Sequence, residues 1–260
     1  MIETAARFNG RVEDYERYRT RFPQEVLELM RTHCGLTSTQ VIADVGAGTG
    51  MLSELFLKNG NAVFAIEPNA QMRGACERLR EQYPKLRIVD AAAEATGLDD
   101  ASVDFVVVGR AFHWFDRARA MEEFRRVLRG ERWVALVGSH WSGDASAQAM
   151  EYEEILAIKG IDFQRVLAAR LRREDMERLF MPESLLVEQI HGEEVLTREG
   201  FFGRTQSLSV TPEPGHAKYA AMQEALQEYF EQWQQNGMIR METSCELICG
   251  RIGADLRYPR

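Results

Sequence analysis

The stretch Asp44-Val45-Gly46-Ala47-Gly48-Thr49-Gly50, followed some twenty positions later by Glu67, is the part of the chain best suited to chemistry. Glycine has no Cβ, so a backbone carrying it at alternate positions can turn sharply and approach a ligand closely. The spacing decides which ligand. A dinucleotide fingerprint needs Gly-x-Gly-x-x-Gly, and counting from Gly46 and Gly48 the third position falls on Met51. A phosphate-binding loop needs Gly-Lys-Ser/Thr, and none follows. Asp-x-Gly-x-Gly-x-Gly is instead a turn for a ligand without a pyrophosphate. Glu67 closes Ala65-Ile66-Glu67-Pro68, where a carboxylate can accept two hydrogen bonds from ribose hydroxyls. Turn and acid together point to a nucleoside. His113 follows an apolar run, and a histidine of near-neutral pKa can act as a general base; packing beneath the bound ligand is the other reading, and both stay open. His140 and His191 have weaker claims, and Trp133 and Trp141 read as core or pocket wall.

Such residues need a scaffold that brings strand ends together. Val41–Val45, Ala62–Ile66, Leu86–Val89, Val103–Val108 and Trp133–Val137 read as short apolar strands. Helical periodicity separates them over Met51–Phe56, over Ala70–Tyr83 before Pro84, and over Ala118–Leu128. A further helix is expected over residues 22–33, after a mixed segment rich in Tyr and Arg. Strands alternating with helices predict a doubly wound, mostly parallel sheet of the α/β class. After Gly138 the pattern becomes helical over residues 145–180; strand character resumes at Leu185–Leu196, an amphipathic helix runs from Tyr219 to Trp233, and a last strand alternates from Thr243 to Cys249. The expectation is a seven-stranded sheet with an antiparallel end and a helical lid inserted after strand 5.

Composition excludes several partners. With 260 residues and a net charge of −8, the chain has no overall positive field for a phosphate backbone, so no nucleic acid is expected. Met1–Gly10 carries no apolar stretch, and the longest apolar runs are strand-sized, so neither a signal peptide nor a membrane span is expected. Cys34, Cys76, Cys245 and Cys249 lack metal-ligand spacing and disulfide-framework density; they read as buried small hydrophobes in a reducing, cytoplasmic setting.

With these blocks in order, the chain resembles the class I S-adenosylmethionine-dependent methyltransferases, most strongly from Val41 to Val137. Within that class, Tyr15-Glu-Arg-Tyr18-Arg19-Thr20-Arg-Phe22-Pro23, Arg110-Ala111-Phe112-His113-Trp114-Phe115-Asp116 and Gly203-Arg204-Thr-Gln-Ser207-Leu-Ser209 are similar to blocks of the trans-aconitate methyltransferase-like (type 11) subgroup. The resemblance implies S-adenosyl-L-methionine as cofactor and S-adenosyl-L-homocysteine as product. It implies that Gly46, Ala47, Gly48, Thr49 and Gly50 cradle the methionine part, that Glu67 holds the ribose, that Pro68 and Met72 flank the adenine and that Ala93 and Glu94 border it. Arg19 would pair with the cofactor carboxylate, and Tyr15, Arg110 and Ala111 would join the cofactor site. Ala92 stands where relatives often have Asp or Thr, Thr20 replaces the usual Pro, and Arg110 replaces a frequent Gln, which would suit either an anionic substrate or a surface or structural role, both of which stay open.

The resulting expectation is one methyltransferase domain over 1–260, with an N-terminal helical cap (1–35), a cofactor-binding core (36–139), the lid (140–182) and closing strands and helix (183–260). Its partner would be a small-molecule methyl acceptor, methylated on a carboxylate or hydroxyl oxygen, and the protein would work as a monomer or homodimer. A non-catalytic S-adenosylmethionine-binding regulator is the alternative, and a nicotinamide-dependent dehydrogenase is disfavoured by Met51.

Overall fold

The computed structural model describes residues 12–139, 146–168 and 171–253; Met1–Gly10, His140 and Trp141 lie outside them. Seven strands, β1 (Val41–Val45), β2 (Ala62–Ile66), β3 (Leu86–Val89), β4 (Val103–Gly109), β5 (Leu128–Ser139), β6 (Leu186–Thr197) and β7 (Met238–Arg251), form one sheet in the order β3-β2-β1-β4-β5-β7-β6. β1 to β5 pair in parallel, whereas β7 pairs antiparallel with both β5 and β6. The sheet is therefore the doubly wound, mostly parallel one the alternation predicts. Ile42, Val106, Val107 and Val134 are fully buried because helices cover both faces of the central strands, so an uninterrupted apolar run has no polar side to show.

On one face, helices Glu25–Cys34 and Met51–Lys58 bury Val26, Met30, Leu52 and Phe56 against Ile42, Phe105 and Leu247. On the other, helix Arg117–Val127 and the turn after helix Arg173–Leu179 bury Phe124 and Phe180 against Val106 and Val134. A third cluster, built on the aromatic rings of Tyr152, Phe201, Tyr229 and Phe230, joins helices Ala147–Lys159, Arg198–Gln206 and Tyr219–Trp233 to Ile239 and Met241 of β7. Among the described residues those two β7 residues pair with β6 alone, and β5 meets β7 from Cys245 onward.

Local chemistry explains most boundaries. Asn69 accepts hydrogen bonds from the N–H groups of Gln71 and Met72 and starts helix Ala70–Glu77; Asp116, Ser146 and Thr197 cap three later helices in the same way. Several expectations need correction. The helix predicted to reach Tyr83 ends at Glu77 and tightens into a 3-10 turn, Arg78–Glu81, a common way to satisfy terminal carbonyls. The helix expected from residue 22 begins at Glu25, because Pro23 sits in the preceding turn, where Val26 N–H donates to its carbonyl. Strand β5 is much longer than Trp133–Val137 and absorbs a bulge, with Gly130 and Arg132 at positive φ. Val12–Tyr18 and Arg198–Gln206 form helices that the periodicity did not reveal.

All four cysteines are buried, as expected of small hydrophobes, and the thiols of Cys34 and Cys249 face each other at 2.8 Å. Among the described residues, no helix is long and apolar enough to cross a membrane, and no group of three or more His, Cys, Asp or Glu residues could hold a metal ion.

Candidate active site

The carboxyl ends of β1, β2 and β4 lie side by side, which is where open α/β sheets bind ligands. The turn after β1 is tied to the end of β2 by two hydrogen bonds, from the N–H groups of Gly46 and Ala47 to the carbonyl of Ile66. Its three glycines, all at positive φ, do different work. A Cβ on Gly46 would lie 2.6 Å from Cβ of Ala111, and one on Gly50 would meet the side chains of Leu79 and Cys76. A Cβ on Gly48 would meet nothing within 4 Å. Two glycines thus permit packing, and Gly48 alone leaves open space beside the backbone.

Glu67 crosses to this turn. Its Oε2 accepts from Gly48 N–H at 2.8 Å and its Oε1 from Asn69 N–H at 2.8 Å. Each carboxylate oxygen can accept a second bond, so the group keeps capacity for two hydroxyls. Burial holds its pKa above the usual glutamate range, opposed by the two backbone donors. Beneath the turn, Asp44 is fully buried; its Oδ2 accepts from Ser53 Oγ at 2.6 Å, and burial pushes its carboxyl up to about 7. Thr49 Oγ1 and Asp44 Oδ1 are buried without a hydrogen-bond partner among the described residues.

Pro68 is exposed beside Glu67, Met72 is buried in the helix capped by Asn69, and Ala93 is buried after β3. Glu94 is engaged by the backbone: its Oε1 accepts from Asp116 N–H at 2.7 Å.

Tyr15, Arg19, Arg110, Ala111 and His113 line a neighbouring cavity of about 380 Å³. Arg19 packs its guanidinium 5.5 Å from the Tyr15 ring centroid. Burial, and after it the nearby Arg110 charge, pull its pKa down to about 10. Arg110 stands at φ +56°, a strained region for any residue but glycine, with its N–H held by the Val137 carbonyl at 2.8 Å. His113 lies on a 3-10 turn, Phe112–Trp114, its ring centroid 4.4 Å from that of Trp114. His191 also lines the cavity.

Sequence reasoning passed over two contributors. Arg204, on helix Arg198–Gln206, bonds Thr20 at 3.1 Å and Glu194 at 3.0 Å, while Thr20 also donates to Glu194. This triad fastens the segment carrying Arg19 to β6. Tyr152, in the cavity wall, shares a 2.8 Å hydrogen bond with Thr205. The block from Gly203 to Ser209 contains Arg204 and Thr205, but only the fold brings them to Thr20, Glu194 and Tyr152 and so shows what they do.

Residues 43–136 match the family model described as "Methyltransferase domain". An uncharacterised methyltransferase of Mycobacterium bovis is 37% identical over 122 residues, 47% of each chain. An uncharacterised methyltransferase of Schizosaccharomyces pombe is 29% identical over 131 residues, 50% of this chain and 51% of the other. The chain thus spans about half the length of the curated relatives it matches. Among solved structures, a protein provisionally described as a type II methyltransferase from Anaeromyxobacter dehalogenans superposes with a TM-score of 0.60 at 22% identity, covering 90% of this chain and 98% of its own. The YcgJ protein of Bacillus subtilis gives 0.55 at 18%, covering 89% and 100%. These likenesses establish the fold. The residues that match the methyltransferase-domain model, 43–136, hold the glycine turn, Glu67 and His113.

Proposed function

We propose that this protein binds S-adenosyl-L-methionine at the carboxyl edge of β1 and β2 and transfers its methyl group to a small-molecule acceptor, leaving S-adenosyl-L-homocysteine. The observation that carries the reading is the pairing of Gly48, open on its ligand side, with Glu67, whose oxygens retain acceptor capacity beside that opening. The residues fit the cofactor. Gly46, Ala47, Gly48, Thr49 and Gly50 would follow its methionine part, Glu67 would hold the ribose, and Pro68, Met72, Ala93 and Glu94 would flank the adenine. Arg19, whose Nε is buried with no hydrogen-bond partner among the described residues, suits the cofactor's carboxylate, with Tyr15 stacked on it.

When bound, the cofactor supplies a methyl group activated by a sulfonium. The protein's part is alignment, since positioning alone can supply effective molarities of roughly 10⁵–10⁸ M. Helices Ala147–Lys159 and Phe163–Ala168 would act as the lid over residues 140–182, because Tyr152, Phe163 and Val166 border the cavity where water must be excluded. The acceptor would be methylated on a carboxylate or hydroxyl oxygen. A carboxylate has no proton to lose; a hydroxyl would pass one to His113, which lines the same cavity. The blocks around Tyr15, Arg110 and Gly203 support placement in the trans-aconitate methyltransferase-like subgroup.

The test is calorimetric titration of the intact chain with S-adenosylhomocysteine and, in parallel, NAD, followed by a tritiated-methyl transfer assay over a metabolite panel. Binding and transfer support the reading. Binding without any transfer would favour a regulatory protein, and preference for NAD would overturn the cofactor assignment.

A further inference from the structure

The cavity beside the glycine turn is lined by both cationic and apolar side chains. Arg19, Arg110 and Arg204 border it, as do Phe163, Val166 and Val210. Of the three guanidiniums, Arg204 has a carboxylate partner, Glu194 at 3.0 Å. Arg19 Nε and both Nε and Nη1 of Arg110 are buried with no hydrogen-bond partner among the described residues. Buried donors left without acceptors are costly, and two adjacent unmatched cations more so. A ligand anion removes that cost.

The Arg110 side chain is preset for such an anion. The Phe22 ring lies 4.2 Å from its guanidinium carbon and covers one face, so the in-plane N–H fork remains for a carboxylate. Its backbone is held at φ +56°, a left-handed conformation costly for a residue with a Cβ, by a hydrogen bond to Val137. Strain of this kind persists where the surroundings impose it, and here it sets a side chain at the mouth of β4.

Charge matching then narrows the acceptor. The cofactor brings one carboxylate, and Arg19 is the guanidinium assigned to it above. The resemblance groups Arg110 with the cofactor site, but with the cofactor carboxylate matched by Arg19 the Arg110 charge is free to serve the acceptor. Phe163, Val166 and Val210 offer an apolar surface, and the acidic Glu242 and Glu246 also border the cavity, where they would repel a second or third carboxylate on the acceptor.

We infer that the acceptor is a carboxylic acid with an apolar body, its carboxylate held by the Arg110 fork and its body against Phe163, Val166 and Val210. This rests on the cofactor reading proposed above. In the transfer, a carboxylate oxygen forms the bond to the methyl carbon while the carbon–sulfur bond breaks and its pair stays on sulfur. Carboxylate and sulfonium become neutral ester and thioether, with no proton moved. The ester no longer matches Arg110, which favours release.

The experiment uses the intact chain. Titration with S-adenosylhomocysteine comes first; no binding would overturn the cofactor reading and this inference with it. The loaded protein is then titrated with 3-phenylpropanoate, octanoate, their amides, and tricarballylate as a compact triacid. The expected result is that the monoacids bind, that the amides bind at least about tenfold more weakly, and that Arg110→Gln lowers acid affinity to the amide level. Wild-type protein should convert an acid into a base-labile tritiated methyl ester. With S-adenosylhomocysteine bound, equal affinity for acid and amide, tighter binding of tricarballylate than of either monoacid, or undiminished acid affinity in Arg110→Gln would each overturn the inference. The acid–amide comparison on wild-type protein decides it even if the variant misfolds.

Discussion

The N–H of Gly48 donates to Oε2 of Glu67 at 2.8 Å, so the turn after β1 and the acid after β2 are already joined before any ligand arrives. Preorganisation of this kind means that removing the acid alters both the hydrogen-bonding site and the turn. Glu67→Ala should weaken S-adenosylhomocysteine binding by about 1.5–3 kcal/mol, roughly ten- to hundredfold, the usual worth of hydrogen bonds to a charged group. Calorimetry reads this directly, and unchanged affinity would remove Glu67 from the ligand site.

The glycines of the turn should separate stability from binding. Gly46→Ala forces a Cβ to 2.6 Å from Ala111 at φ +70°, so it should cost about 2–4 kcal/mol of stability. Gly48→Ala has open space and only its φ of +58° to accommodate, so it should cost about 1 kcal/mol while obstructing the ligand side. A fall in Tm for the first and a fall in affinity for the second is the expected pattern. The reverse would mean that the open side of Gly48 is not where the ligand lies.

Asp44 makes stability depend on pH. Its carboxyl titrates near 7 in the fold, against about 4 for an exposed aspartate, so between those values the native state holds a proton that the unfolded chain has released. Stability must therefore decline as pH rises from about 4 to about 7, by an amount on the order of 4 kcal/mol when complete. Asp44→Asn should lose less Tm between pH 5 and pH 8 than the wild type in calorimetric scans. Glu67, also raised by burial, leaves a residual slope of the same sign. Parallel wild-type and variant curves would contradict the assignment.

Glu194 fastens the segment bearing Arg19 through Thr20 and Arg204. Glu194→Gln should loosen that segment by about 1–2 kcal/mol, seen as faster amide hydrogen exchange over residues 15–20, and weaken cofactor binding in step. Unchanged exchange would show that the triad does not hold the segment.

How much of this was legible in the sequence follows from range. β1, β2 and β3 have the predicted limits because short apolar runs bounded by turn residues carry their own signal. The glycine turn and Glu67 are legible for the same reason. Arg204 was not recognised as a site residue, since its partner Thr20 is 184 positions away, and the Cys34–Cys249 contact spans 215. No composition rule reports such distances. The positive φ of Arg110 was equally hidden, because a non-glycine residue gives no hint of a left-handed backbone. Which side of each glycine is packed and which is open is decided by Ala111, Leu79 and Cys76, residues the motif does not contain.

Strand β6 closes the sheet on one side, and its free margin would invite another molecule to dock edge to edge if it were apolar. Val187 and Val195 are exposed there, but Glu188, Gln189 and Glu193 are exposed between them. An approaching copy would set acid beside acid along the seam. Growth of the sheet from molecule to molecule is thereby discouraged at that border.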